Sequence, residues 1–278
     1  MYVGILTAPF SDKSLEEVVK WAADNGITAL EAAAGPGSKH IDTEKVTAGG
    51  AAKVKALLKK HGVRLSSLAH YRSLLEADPD KRKEAGRVMK QVIDAAAALD
   101  CEVVCTMAGM PVPGKDKMKT IEEDFAQVWP AMGKYAKKQG VKIAFENWYA
   151  TLLQGLECWD RVFSIASGDN VGLNFDPSHL FWMQVDHLAA VERFGKRIFH
   201  THAKDTEVRA NRLRHVGVLG GGWWRYCIPG YGGIHWGEYI ARLKSVGYDG
   251  VLSIEHEDGL LGREEGFIKG RMHLEQFI

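Results

Sequence analysis

Four side chains of the kind that bind a divalent cation each close an apolar run in this sequence. Glu146 ends Ile143-Ala144-Phe145-Glu146, Asp176 ends the run from Val171, His202 ends the run from Arg197, and Glu255 ends Val251-Leu252-Ser253-Ile254-Glu255. Carboxylates gathered at low dielectric repel one another unless a cation neutralises them. Three carboxylates and one imidazole suit a hard or borderline ion, with Mn²⁺ the expected occupant and Mg²⁺, Co²⁺ or Zn²⁺ as alternatives. A lone Glu behind a strand is ordinarily a surface residue or a neighbour of a helix cap. Four such groups closing four successive runs form a constellation. His70 closes an earlier run, Val63–His70, and reads either as a group facing bound substrate or as a satisfied core histidine.

The elements that would position these groups alternate from end to end. The first strand is expected over Tyr2–Ala8. Ser14 with Glu17 three residues on makes a capping box, and Leu15, Val18, Val19 and Ala22 form a helical apolar face that Gly26 closes. Strand two is expected over Ile27–Ala33, a helix over Thr43–His61 stopped by Gly62, and strand three over Val63–His70. Lys81–Leu99 reads as a helix and Glu102–Met107 as strand four. Thr120 and Glu123 suggest a second capping box, for a helix ending near Gly140. Val141–Glu146, Val171–Asp176, Arg197–His202 and Val251–Glu255 complete the strands. Helices are expected at Leu156–Ala166, Val185–Phe194, around Trp236–Leu243, and at Arg263–Phe277.

Eight strand–helix units over 278 residues predict an α/β fold, a (β/α)₈ barrel in one domain spanning 1–278, near the roughly 250 residues typical of such barrels. A doubly wound open sheet has the same alternation. It is disfavoured because Thr7-Ala8-Pro9-Phe10, not a glycine-rich loop, follows strand one. In a barrel the catalytic groups gather where strands end at the C-terminal face, which is where all five residues above fall.

Charge and composition narrow the partners. Thirty-six basic against 35 acidic residues leave +1, with 46% hydrophobic and 26% charged residues. No basic run offers a footprint for nucleic acid. The cluster Lys81-Arg82-Lys83 reads as a solvated helix face. No window approaches 18 apolar residues, and Met1–Leu6 has no signal-peptide character, so neither a membrane span nor a leader is expected. Cys101, Cys105, Cys158 and Cys227 form no CxxC motif and read as reduced core thiols of a cytoplasmic protein, the first two sharing one strand face. Gly220-Gly221-Gly222-Trp223-Trp224 reads as a hinge beside an aromatic platform, with Trp224 stacking on a sugar ring or meeting another subunit of a homo-oligomer.

Ala144-Phe145-Glu146-Asn147, Asn174-Phe175-Asp176-Pro177-Ser178-His179, His200-Thr201-His202-Ala203-Lys204-Asp205 and Gly247–Asp258 together resemble the sugar phosphate isomerase/epimerase family. That family has the xylose isomerase-like TIM barrel and includes keto-sugar 3-epimerases, inosose dehydratases and keto-glycoside-processing enzymes. The resemblance covers nearly the whole chain and is densest from Val141 to Asp258. It implies Glu146, Asp176, His202 and Glu255 as metal ligands, with His202 preferred over His200 because the family's ligand precedes the x-Lys-Asp element. It further implies that Glu146 and Glu255 move protons at opposite faces of the substrate, and that His179 and Lys204 contact it.

The expected activity is therefore metal-dependent epimerisation or isomerisation of a keto sugar or keto-glycoside. Chelation of a carbonyl and its neighbouring hydroxyl eases removal of the α-proton by stabilising an enediolate oxygen. With one competent base the same chemistry gives isomerisation or loss of a β-leaving group, so a dehydratase or β-eliminase is the alternative. A sugar-binding subunit without activity is disfavoured by the paired carboxylates. An abasic-site endonuclease, the family's multi-metal relative, would need a second histidine after strand four, where Cys105–Gly109 stands, and an Asp-x-His after strand seven, where Asp205–Arg209 stands.

Overall fold

The computed structural model describes residues 1–278. Eight parallel strands close on themselves: β1 (Tyr2–Leu6), β2 (Ala29–Gly35), β3 (Arg64–Ala69), β4 (Val103–Thr106), β5 (Lys142–Glu146), β6 (Val171–Phe175), β7 (Ile198–Ala203) and β8 (Val251–Ile254). Each pairs with its successor, and β1 pairs with both β2 and β8, which completes the ring. Helices fill the crossovers on the outside. The (β/α)₈ expectation therefore describes the molecule, and the open doubly wound sheet does not.

Local chemistry explains where elements begin. Ser14 accepts from the Glu17 amide while Glu17 reaches back to the Ser14 amide, so the expected capping box starts the helix Leu15–Asp24. Its Leu15, Val18, Val19 and Ala22 are buried. The second expected box is absent. Asp116 caps instead, accepting from the Lys119 amide, and Thr120 lies inside a continuous helical run in which its hydroxyl donates to the Asp116 carbonyl. The Thr43–His61 helix is likewise interrupted, because Gly49 sits at φ +107° and resets the chain before Ala51–His61. Cys101 precedes β4 rather than lying on it, and all four cysteines are buried and unpaired.

Two regions outside the expected strands and helices also have structure. After β7, Asp205–Val208 and Trp224–Cys227 pair antiparallel, with Trp224 opposite Val208 and Cys227 opposite Asp205. The short helix Ala210–Val216 lies between them. Pro177–Trp182 forms a short helix directly behind β6, capped by Asp176. No helix is long and apolar enough to cross a membrane.

The large apolar core lies between the strands and the outer helices. Along the barrel axis the filling is different: Glu31, Ser67, Cys105, Asn174, His200, His202 and Ser253 are all essentially inaccessible. A barrel interior usually holds branched aliphatic layers. Here it holds hydrogen-bonded polar groups, and these form the floor of the site described below.

Sheet closure also depends on one missing side chain. A Cβ on Gly172 of β6 would lie 2.1 Å from the Arg197 carbonyl oxygen and 2.6 Å from the Phe199 ring. Neither backbone nor ring can withdraw without opening the β6–β7 contact. Gly172→Ala should cost about 3 kcal/mol, the upper part of the usual overpacking range, or very roughly 6–12 °C in melting temperature. A melt within about 2 °C of the parent, near the effect of a neutral surface change, would refute the close-approach reading.

Candidate metal centre

β5, β6, β7 and β8 deliver Glu146, Asp176, His202 and Glu255 to one end of the barrel, where one ligand-type atom from each lies within 4.8 Å of all the others. Glu146 is the last residue of β5, Asp176 and Glu255 immediately follow β6 and β8, and His202 is the penultimate residue of β7. His202 Nδ1 stands 3.1 Å from Glu146 Oε1, 3.1 Å from Glu255 Oε2 and 3.8 Å from Asp176 Oδ2. His200, two residues earlier on the same strand face, lies one layer deeper. Its Nδ1 meets Asn174 Oδ1 at 2.9 Å and its Nε2 meets the Ser66 and Ser67 hydroxyls. Burial pushes its pKa down to about 4, so it is a neutral, fully engaged group of the floor.

The residues fit a cation. Asp176 is held by its backbone amide donating to Asn147 Oδ1 and by Oδ1 accepting from the Ser178 amide. Its Oδ2 is buried and accepts no hydrogen bond, with the Lys204 ammonium at 3.3 Å as a charge partner. An inaccessible acceptor without a hydrogen bond is costly, and a cation among the four groups would satisfy it. Burial disfavours the ionised forms of Glu146 and Asp176. The His179 and His202 rings beside Glu146, and Lys204 and His179 beside Asp176, nevertheless hold both carboxyls well below their ordinary range. Burial opposes charge on His202, but Glu255 and Glu31 raise its pKa well above the ordinary imidazole value.

The other expected site residues divide. His179 joins the group: its Nε2 is 3.5 Å from Asp176 Oδ2 and 3.6 Å from Glu146 Oε1, and its Nδ1 is 2.6 Å from the Tyr226 hydroxyl. Lys204 joins it too, donating to Glu255 at 2.6 Å and to Glu257 at 3.0 Å, with its ammonium 4.5 Å from the Tyr226 ring centre. Trp224 is one layer back. It stacks on Trp182 at 4.4 Å and 6°, behind Tyr149 and Tyr226, while its neighbour Trp223 is buried. The exposed platform expected of the pair is therefore a packed support. His70 is not brought to the group. Its Nδ1 bonds the Ala34 carbonyl oxygen at 2.8 Å, and the ring lines a separate cleft with Arg72, Ser73 and Glu76.

Tyr71, not His70, enters the site from the end of β3, and with it comes a residue the sequence reading missed, Glu31. Glu31 is completely buried on β2. It accepts from the Tyr71 and Ser253 hydroxyls, and its Oε2 meets His202 Nε2 at 3.0 Å. Burial would raise its carboxyl, but the His202 and His200 rings and the Tyr71 hydroxyl bring it down to about 2. An ionised carboxylate only accepts, so His202 must donate from Nε2. With Nε2–H fixed in this way, Nδ1 is the nitrogen that faces Glu146, Asp176 and Glu255 and the one that would give up its proton to a cation held there. The signal was an acid inside Ala29-Leu30-Glu31-Ala32, an otherwise apolar parallel strand. Glu31→Gln keeps the shape and removes the charge. It should weaken Mn²⁺ binding about 10–100-fold, as loss of such outer partners does, in a competition titration with a fluorescent chelator. Unchanged affinity would remove Glu31 from this role.

These groups open into a cavity of about 560 Å³ walled also by Leu6, Ala8, Met107, Trp148 and Tyr149. The size is ordinary for a small-molecule site. Comparison with known proteins bears on the fold and the family. A family described as xylose isomerase-like TIM barrel matches residues 19–277. The chain is 28% identical to the uncharacterized protein YfiH of Bacillus subtilis, over 100% of this chain and 99% of that one. It is 27% identical to an inosose dehydratase of Clostridium perfringens over 60% of this chain, a match spanning 57% of that protein. The solved structure of the 3-keto-D-glucoside 4-epimerase YcjR from E. coli superposes with a TM-score of 0.75 at 13% identity, covering 100% of this chain and 98% of that one.

Proposed function

The chain belongs to the xylose isomerase-like TIM barrel family and is an enzyme, and from that premise we propose that it is a divalent-metal-dependent epimerase or isomerase of a keto sugar or keto-glycoside. One observation carries the reading: Glu146 and Glu255 meet around a single imidazole, beside the hydrogen-bond-free Asp176 Oδ2, on the floor of an open cavity. A divalent ion held by Glu146, Asp176, His202 and Glu255 supplies Lewis acidity toward a carbonyl oxygen. Glu146 and Glu255 both line the cavity and take or return the proton on the carbon beside that carbonyl. His179, fixed through Nδ1 by Tyr226, orients a substrate oxygen with Nε2. Lys204 holds Glu255 and Glu257 in place. Leu6, Ala8 and Met107 give the cavity an apolar side.

A dehydratase reading stands second, favoured by the inosose dehydratase relative and by Lys204, an ammonium among the carboxylates able to protonate a departing hydroxyl. The test is exchange in D₂O. Metal-replete protein incubated with a panel of ketoses and 3-keto-glycosides should place deuterium at the carbon beside the carbonyl, read by NMR. Epimer formation supports the first reading and an unsaturated product the second. No exchange with any member of the panel overturns both.

A further inference from the structure

The cavity is larger and drier than one sugar needs. A hexose has about twelve non-hydrogen atoms; allotting each the ~30 Å³ share of a liquid water molecule, a generous bound, leaves roughly a third of 560 Å³ over. The acid cluster lies on the floor. The remaining wall is Leu6, Ala8, Tyr71, Met107, Trp148, Tyr149 and Tyr226; its polar side-chain atoms are the indole N–H and three tyrosine hydroxyls, of which that of Tyr71 is given to Glu31 and that of Tyr226 is engaged with His179. A second sugar ring would bring several hydroxyls to that wall and find few partners, leaving polar groups desolvated and unpaired.

Phosphate is excluded by charge. No arginine lines the cavity, and its one lysine is already committed: Lys204 lies 2.6 Å from Glu255, 3.0 Å from Glu257 and 3.3 Å from Asp176. A phosphate carries about −1.5 to −2, and would meet Glu257 with no free cation to offset it.

The aromatic wall is rigid. Tyr149 packs edge-on against Trp182 at 5.1 Å and against Trp224 at 6.4 Å, the two indoles that stack on each other. Tyr226 is pinned between Trp224 at 4.9 Å and His179 at 5.1 Å. Yet Trp148, Tyr149 and Tyr226 each stay partly accessible at the cavity. Such rings, preorganised and half-bare, offer a planar apolar group stacking or edge contacts at little ordering cost. Met107 adds a thioether of the kind that favours aromatic neighbours. The geometry points to a substrate that is an unphosphorylated keto-glycoside with a planar aromatic aglycone, the keto sugar over the acid cluster and the aglycone against Trp148, Tyr149 and Met107. This rests on the sugar-processing reading of the centre and names the substrate class within it.

The test separates binding from turnover. Phenyl β-D-glucopyranoside, methyl β-D-glucopyranoside, methyl β-cellobioside and methyl β-D-glucopyranoside 6-phosphate are all locked as acetals with no free carbonyl, so none can lose an α-proton. Titrated calorimetrically into the Mn²⁺-loaded protein, the phenyl glycoside should bind about tenfold or more tighter than the methyl glycoside, the scale of a favourable aromatic contact plus burial of the ring. Tyr149→Ala and, separately, Trp148→Ala should shrink that ratio to threefold or less, with circular dichroism and metal content retained. The second variant covers the case in which the first fails to fold. A wild-type ratio near one, or no binding of the phenyl compound, overturns the proposal; so does the cellobioside or the methyl glucoside 6-phosphate binding as tightly as the phenyl glycoside. D₂O exchange from a keto sugar alongside a failed phenyl preference would sink the subsite alone. The preference without any exchange would sink the reaction and leave the subsite standing.

Discussion

Protein purified without chelator should carry about one divalent ion per chain, as expected of a single four-ligand site, and Asp176→Asn with His202→Ala should abolish it. The two changes act differently. The amide introduced by Asp176→Asn would keep the oxygen that accepts from the Ser178 amide, but in place of the hydrogen-bond-free Oδ2 it would turn an NH₂ toward the Lys204 ammonium and the His179 ring. The site loses a charge and an acceptor while the helix cap survives. His202→Ala removes the nitrogen that three carboxylates face and strands Glu31 with its negative charge in the barrel centre. Removing one partner of a buried ion pair costs about 3–5 kcal/mol, so this variant alone could lose metal through unfolding. Asp176→Asn is therefore the arm that isolates coordination. Its affinity should fall by more than the roughly 10–100-fold that loss of an outer partner costs. A thermal melt gives a readout independent of catalysis. At a hundred times its dissociation constant an ion adds about 2.7 kcal/mol to the folded state, or roughly 5–10 °C for a chain of this size. Wild type should show that rise with Mn²⁺ and lose it in EDTA, and Asp176→Asn should not show it. An equal rise in both proteins would mean that the ion binds elsewhere.

The parts of this molecule legible in its sequence are those decided by near neighbours. β5 through β8 are buried on both faces, so they appear as apolar runs of the right length. The polar residue that ends each run is conspicuous for the same reason. Ser14 and Glu17 form their capping box within four residues. Thr120 and Glu123 have the same spacing and form none, because Asp116 had already begun the helix just upstream. A capping pattern does not say which of two adjacent candidates wins. The hairpin of Asp205–Val208 with Trp224–Cys227 has short strands, and the excursion joining them contains its own helix, so the tight-turn signal of a hairpin is missing. Glu31 escaped for the opposite reason. Its partner His202 is 171 positions away, and no local pattern connects them. His70 shows the limit of counting strand ends. It closes its run as the ligands do, yet Tyr71, one residue on, takes the inward place while the His70 ring turns to the Ala34 carbonyl. A strand end shows that a side chain is near the mouth of a barrel. It does not show which way the side chain faces.

Glu146→Gln and Glu255→Gln should each slow interconversion of the two epimers of a keto substrate by at least about 10²-fold, the lower end of what a positioned acid or base contributes. Each variant keeps the size of the side chain, and the surroundings can absorb the change. After Glu255→Gln, Lys204 retains Glu257 and Asp176; after Glu146→Gln, His202 retains Glu255 and Glu31. Metal content is measured in the same samples, because both glutamates are also expected ligands, and only variants that keep their ion bear on proton transfer. Epimerisation needs one group to remove the proton from one face and another to deliver it to the opposite face, so the two variants should fail differently. With one base gone, the surviving carboxylate still exchanges the α-proton of the epimer whose hydrogen faces it. That epimer should take up deuterium from D₂O without inverting, while the other stays unlabelled. The epimer that labels should switch between the two variants. An enzyme with a single base gives a different pattern, in which one variant loses all exchange and the other loses none. A dehydratase would accumulate an unsaturated product in wild type and in neither variant that stops proton removal. If both metal-loaded variants retain more than about a tenth of the wild-type rate, well short of the loss expected for a general base, neither carboxylate moves the proton. The pairing of Glu146 and Glu255 around His202 would then be coordination alone.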